Sequence, residues 1–110
     1  MFRIENENIY ITRGDSAGFS VKIYNGTEEY TLQEGDLLTF TVRRNVYSPI
    51  KVIEKELTDA EIELAPSDTN GLPFGNYVYD IQLTFANGDI NTIIPPSLFQ
   101  VMEEVTYQNV

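Results

Sequence analysis

Cysteine and histidine are both missing from this sequence. Their absence removes thiolate nucleophiles, Cys/His zinc sites, imidazole acid–base catalysis and disulfides together. No catalytic, metal or cofactor-binding residue is therefore assigned, and a non-enzymatic role is expected. The missing cysteines do not decide the compartment, because a disulfide-free fold is stable inside or outside a cell. Basic side chains are scarce: seven Lys and Arg stand against seventeen Asp and Glu, a formal charge of −10. Binding to phosphate backbones rests on Lys and Arg releasing counterions, so nucleic acid and anionic membranes are not expected partners. No apolar run is long enough to cross a bilayer. Residues 1–7 are mixed and charged, with no basic patch leading into an apolar stretch, so no signal peptide is expected and the product should start out cytoplasmic.

What is present suits a single core. The chain has 110 residues, 42% of them hydrophobic, with seven tyrosines, six phenylalanines and no tryptophan. That is enough apolar surface for one domain over residues 1–110 without metal or disulfide support, and far from the composition of a disordered chain. No internal repeat, linker or low-complexity tract divides it.

Apolar residues recur with period two, the spacing of half-buried strands. Phe19, Val21 and Ile23 form one such set, and Leu38, Phe40 and Val42 another. The longest is Tyr77, Tyr79, Ile81, Leu83 and Phe85, with Asp80, Gln82 and Thr84 between, which predicts a long central strand. Shorter strands are expected over 9–12, 50–57, 62–64, 89–94 and 98–102. Asn25-Gly26 and Asn87-Gly88 predict two hairpins with type I′ turns, while Gly14-Asp15 and Gly35-Asp36 mark further turns. Residues 65–72, with Pro66 and Gly71 bracketing a polar middle, read as one helical turn or a compact loop. Pro95-Pro96 lacks two backbone donors and should mark a strand boundary or a switch between sheets.

These elements predict an all-β, immunoglobulin-like antiparallel β-sandwich of about seven to nine strands, with at most one short helical turn near residues 66–71. Tyr77, just after the Leu72-Pro73-Phe74-Gly75 turn, is placed as a corner tyrosine whose hydroxyl would reach upstream backbone; otherwise it is simply the first core aromatic of its strand.

Several short motifs have a functional and a structural reading. Arg13-Gly14-Asp15 spells the tripeptide of integrin ligands, yet Gly-Asp between two strands is a natural turn, which is preferred. Asn25-Gly26-Thr27 fits a glycosylation acceptor but coincides with a hairpin turn. Asp59, Glu61, Glu63 and Asp68 could be imagined around calcium; the alternation of Glu61 and Glu63 with Ile62 and Leu64 instead indicates the solvated face of a strand. Tyr10, Tyr24, Tyr30 and Tyr47 would be the stacking candidates for a sugar-binding module if they shared one exposed face. Edge strands and loop tips are where contacts with other chains are expected.

The order of these motifs resembles a known family. Ile11-Thr12-Arg13-Gly14-Asp15, then Gly35-Asp36 leading into Leu38-Thr39-Phe40-Thr41-Val42-Arg43, then Ser67-Asp68-Thr69 and Leu72-Pro73-Phe74-Gly75-Asn76-Tyr77-Val78-Tyr79-Asp80-Ile81, is similar to the N-terminal domain of phage baseplate upper proteins and its small stand-alone prophage relatives. Asn91-Thr92-Ile93, Phe99-Gln100-Val101 and Glu104-Val105-Thr106 extend the likeness to nearly the whole chain, with a departure at Pro95-Pro96. The resemblance implies a virion tail or baseplate component that docks to other tail or baseplate proteins, with homo-oligomerisation allowed. The larger baseplate proteins continue into domains carrying the receptor-binding apparatus, so a host-recognition role is not implied. The alternative function is an immunoglobulin-like adhesion or carbohydrate-binding module, with or without dependence on calcium.

Overall fold

The computed structural model describes residues 2–104. Ten strands and one short helix follow one another: β1 (Phe2–Glu5), β2 (Asn8–Thr12), β3 (Ala17–Ser20), β4 (Ile23–Asn25), β5 (Glu28–Tyr30), β6 (Leu37–Arg43), β7 (Lys51–Leu57), β8 (Glu61–Leu64), α1 (Pro66–Asn70), β9 (Gly75–Thr84) and β10 (Ile90–Met102). The protein is all-β. Six strands form one sheet in the order β1-β2-β10-β9-β6-β7, and the pairs β3-β8 and β4-β5 form two small sheets. Buried side chains from all three sheets join in one core: Phe40, Tyr79 and Phe99 from the large sheet, Ile62 and Leu64 from β8, and Ile23 from β4. The large sheet thus faces a layer assembled from two short hairpin-like pieces.

Period two is what places the core. In β6 and β9 every second side chain is buried, and the register Leu38↔Leu83, Phe40↔Ile81 and Val42↔Tyr79 sets these residues side by side on the inner face. Successive side chains of a strand point to opposite faces, so Thr39, Thr41, Asp80 and Gln82 fall on the other side. Phe40 sits at the centre, with its ring 5.4 Å from that of Tyr79, 6.1 Å from Phe19 and 6.2 Å from Phe99. Phe19, from the opposite layer, also stacks on Phe2 of β1. Tyr77 is buried and its hydroxyl donates to the Pro73 carbonyl over 2.7 Å, the upstream backbone bond expected of a corner tyrosine.

Turn chemistry departs from the sequence reading in informative ways. Both Asn-Gly hairpins form, but neither is type I′. In β4-β5 the register Asn25↔Glu28 makes Gly26 and Thr27 the central residues, and only Gly26 has positive φ, at 69°. In β9-β10 the Gly88 amide bonds the Phe85 carbonyl and the Phe85 amide bonds Asp89, with Gly88 at φ 96°: a three-residue loop closed by a glycine bulge. The turn with two positive φ values joins β1 to β2, at Asn6 (49°) and Glu7 (72°), in a segment where the sequence shows no strand. No glycine marks it. The Tyr79 hydroxyl donates to the Glu7 carbonyl and ties this turn to the core strand.

That buried phenol has a pH consequence. Burial, with the Glu7 charge nearby, pushes Tyr79 from 10.0 up to about 12. Between those values the unfolded chain has released the proton while the folded chain retains it, so stability is intact below pH 10 and falls as pH rises towards 12. Thermal unfolding followed from pH 9 upward should show a drop in this window. Tyr79→Phe, which has no proton to lose there, should show a shallower one.

Three further expectations need correction. The strands expected over 89–94 and 98–102 are one, β10, which runs through Pro95-Pro96. Its pairing with β9 slips between Thr92 and Ile94 and again between Ile94 and Ser97, and its pairing with β2 begins only at Phe99, so neither proline is asked for a ladder donor. The set Phe19, Val21 and Ile23 is divided between β3 and β4, where the Val21 amide bonds Ala60 outside either ladder. The large sheet is not purely antiparallel: β2 and β10 run parallel, which is sterically open because almost the entire chain serves as the crossover between them. Strand β1, the division of that set and the added β5 bring the total to ten.

Two short segments lock the layers together. In α1, Pro66 takes the first helical position and the Asp68 carboxylate accepts from the Ala65 amide at 2.7 Å, while Lys55 pairs with the same carboxylate at 2.9 Å. At the mouth of β6, the buried Asp36 carboxylate accepts from the Tyr30 hydroxyl, the Gln33 amide (2.8 Å) and the Ala86 amide (3.2 Å). The Tyr30 bond, then the Gln33 bond, hold Asp36 below the usual carboxylate range, and the same bond raises Tyr30. Gly35 at φ 90° delivers the chain to this point, and a Cβ there would lie 2.8 Å from that of Ala86. Gly35→Ala should therefore cost about 1–2 kcal/mol from the left-handed backbone plus the cost of that overlap, read as a lower urea midpoint at unchanged m-value.

Candidate functional site

The motifs singled out in the sequence separate once their surroundings are known. Arg13 is not displayed. Its guanidinium lies over the Phe74 ring at 4.1 Å, Nε donates to Glu104 at 2.6 Å and Nη1 to the Leu72 carbonyl at 3.3 Å, leaving the side chain 20% exposed. Gly14, at φ 85°, donates its amide to the fully buried Thr69 Oγ1, and the Asp15 amide closes a turn onto Thr12. The tripeptide is a clasp joining the end of β2, helix α1 and the end of β10. Asn25-Gly26-Thr27 is the tip of the β4-β5 hairpin.

The acidic residues are likewise engaged separately. Asp59 Oδ1 caps the Glu61 amide, Glu61 accepts from Ser20 Oγ at 2.7 Å, and Asp68 holds Lys55 and the start of α1. Glu61 and Glu63 alternate with buried Ile62 and Leu64, as a solvated strand face requires. Among the described residues no three metal-ligating side chains converge. A shallow groove of about 920 Å³ runs past β7 and β8, lined by Ala17, Leu57, Leu64 and Pro66 among these carboxylates. Asp80 is raised above the ordinary carboxylate range by burial, against the lowering effect of Arg43.

The four tyrosines do not all share one face, although Tyr24 and Tyr30 line a groove with Phe85. Tyr10 lies under Arg3 at 4.4 Å, and Tyr30 packs against Phe85 while bonding Asp36. Tyr24 and Tyr47 are exposed, on the β4-β5 hairpin and on the β6–β7 loop. The first lies by the Leu37 end of β6 and the second beyond its Arg43 end. The four candidates therefore do not form a single stacking platform.

What stands out is the β6–β7 loop, residues 44–50. It presents Val46 (53% exposed), Tyr47 (92%) and Ile50 (67%) together, although scattered single apolar residues are the norm on a surface. The loop is braced from within: Arg43 Nη1 donates to the Ser48 carbonyl at 3.1 Å, the Ser48 amide to Asn45 O at 3.2 Å, the Tyr47 amide to Asn45 Oδ1 at 2.9 Å and the Ile50 amide to Ser48 Oγ at 3.3 Å. Pro49 fixes a further dihedral. A tip held in this way loses little entropy when it is covered, which is the condition for a good anchor. The β7 edge of the large sheet is less suited to docking, since it carries Lys51, Glu54, Lys55 and Glu56, charges of the kind that discourage strand addition.

The sequence names Tyr47 as one of four stacking candidates without showing its exposure, and gives Ile50 to the following strand, which starts at Lys51. The signal that could have found the loop is the run Asn45-Val46-Tyr47-Ser48-Pro49-Ile50, where turn-forming Asn45 and Ser48-Pro49 flank large apolar residues. No protein-family model, curated protein or solved structure matches this chain.

Proposed function

We propose that this chain is a non-enzymatic structural module of a phage or prophage tail or baseplate, docking to other tail proteins through the β6–β7 loop. One observation carries the docking part: a braced loop that holds Tyr47, Val46 and Ile50 in solvent. Aromatic anchors surrounded by apolar neighbours supply most of the energy at protein interfaces. The phage assignment rests on the motif order that resembles baseplate upper proteins, and the corner tyrosine at Tyr77 supports the immunoglobulin-like part of that reading. Before assembly the chain would reside in the cytoplasm of the producing bacterium, and afterwards in the virion tail. A module of this kind acts through placement, since repeated weak interfaces in a symmetric particle add up to a stable one.

Mass spectrometry of purified particles from an induced producer tests this directly. The chain is expected in tail-containing fractions at a fixed ratio to the other tail proteins. Its absence from particles, or a hydrolase or transferase turnover lost on a point substitution, would overturn the reading.

A further inference from the structure

We propose that the chain associates head to tail with a second copy of itself, the loop at residues 44–50 of one molecule seating in an aromatic groove of the next. This rests on the assembly reading above and names one partner for the same loop. The groove lies at the opposite end of the large sheet. It measures about 240 Å³ and is lined by Tyr24, Tyr30, Leu83, Phe85, Asn91 and Ile93. That is below the roughly 300–1,000 Å³ of a small-molecule site and suits a side chain or two.

Topology puts knob and groove on different ends. In the β6-β9 ladder Leu37 pairs with Thr84 and Arg43 with Val78, so the groove flanks the first pair and the loop leaves beyond the second. At about 3.4 Å per residue, the strand alone separates them by about 20 Å. The loop of one molecule cannot fill its own groove.

Charge selects the pairing. Arg43, Arg44 and Lys51, three of the seven cations in the chain, bracket the loop. Lys51 pairs with Glu54 at 2.7 Å and Arg43 lies beside Asp80, which leaves Arg44 as the main uncompensated charge. Around the groove, Glu28 and Glu29 stand on the hairpin strand facing β4, and Asp89 precedes the exposed Ile90, against a single Lys22. Two copies with a net charge of −10 repel on average, so this basic collar meeting an acidic rim favours one orientation over others. Contact between two different patches is heterologous and propagates into a ring or a filament rather than closing as a two-fold dimer.

The cysteine-free sequence gives a clean test. Ser48→Cys and Asn91→Cys proteins, each uniformly one variant and each keeping Val46, Tyr47 and Ile50, are mixed in equal amounts and oxidised. The expected result is a crossed Ser48→Cys/Asn91→Cys dimer well above its random share, with a ladder of higher species from the doubly substituted chain. Sedimentation of the unsubstituted protein should show concentration-dependent association. Tyr47→Ser should weaken it about 30-fold or more, the loss of a central aromatic anchor, and Glu28→Lys with Glu29→Lys should weaken it without touching the loop. Random crosslinking, a dominant Ser48→Cys homodimer, or a monomer at millimolar concentration overturns the proposal. Failure here is distinct from failure of the assembly reading: a monomer that still enters particles removes only self-association, whereas an oligomer absent from particles removes the tail role.

Discussion

Phe40→Ala is expected to destabilise the protein by about 3–5 kcal/mol, against a total of roughly 5–15 kcal/mol for a domain of ordinary stability. The ring is fully buried and meets Phe19 across the layers as well as Tyr79 and Phe99 within the large sheet. Removing it opens a void that three other aromatic rings line, and a sheet held by backbone ladders on both sides of β6 cannot collapse to fill it. Phe40→Leu retains part of the volume and should lose less. Urea unfolding by circular dichroism gives both values. A Phe40→Ala protein within 1 kcal/mol of the parent, on the scale of an exposed substitution, would mean that the two layers do not share one core.

Arg13→Ala comes second, at about 2–3 kcal/mol. The guanidinium joins three segments far apart in sequence: its own β2 end, the Leu72 carbonyl with the Phe74 ring, and Glu104. Breaking a fully buried pair costs about 3–5 kcal/mol, and the remaining solvent exposure of both partners brings the figure down. Arg13→Lys keeps the charge but not the planar fork, and should recover only part of the loss. In a double-mutant cycle, Arg13→Ala and Glu104→Ala should couple by about 1–2 kcal/mol. Cell adhesion lost on Arg13→Ala with the melting temperature unchanged would contradict the clasp and restore the tripeptide as a displayed ligand.

The inner face of the fold was legible because its physics is local. Leu38, Phe40 and Val42, and Tyr77 through Leu83, obey period two, and burial follows period two. The single helical turn at 66–70 was legible for a similar reason, with proline at its start and Asp68 bonding back to Ala65. Pairing was less accessible. Nothing in the 1–7 segment announces a strand, because Asn6 and Glu7 reach positive φ without glycine and the Tyr79 bond to Glu7 comes from 72 residues away. Pro95-Pro96 reads as a break only if every strand residue must donate, and a ladder that slips there does not ask it to. The loop at 44–50 was half visible: Tyr47 could be named, but its exposure with Val46 and Ile50 depends on where β6 ends and on the Arg43 and Asn45 bonds that brace the turn. The clasp role of Arg13 was least visible of all, since its partners lie 59 and 91 residues away.

We propose that the protein acts by docking through residues 44–50 while the rest of the fold supports that loop. The most direct test is incorporation of a Tyr47→Ser/Ile50→Ser protein into tail particles, compared with the parent at matched expression and alongside the melting temperatures of both. Exposed substitutions typically change stability by less than about 0.5 kcal/mol, whereas an anchor removed from an interface costs about 2 kcal/mol or more. Equal melting temperatures and a loss of incorporation of at least about 30-fold are expected. Full incorporation of the doubly substituted protein would contradict the proposal.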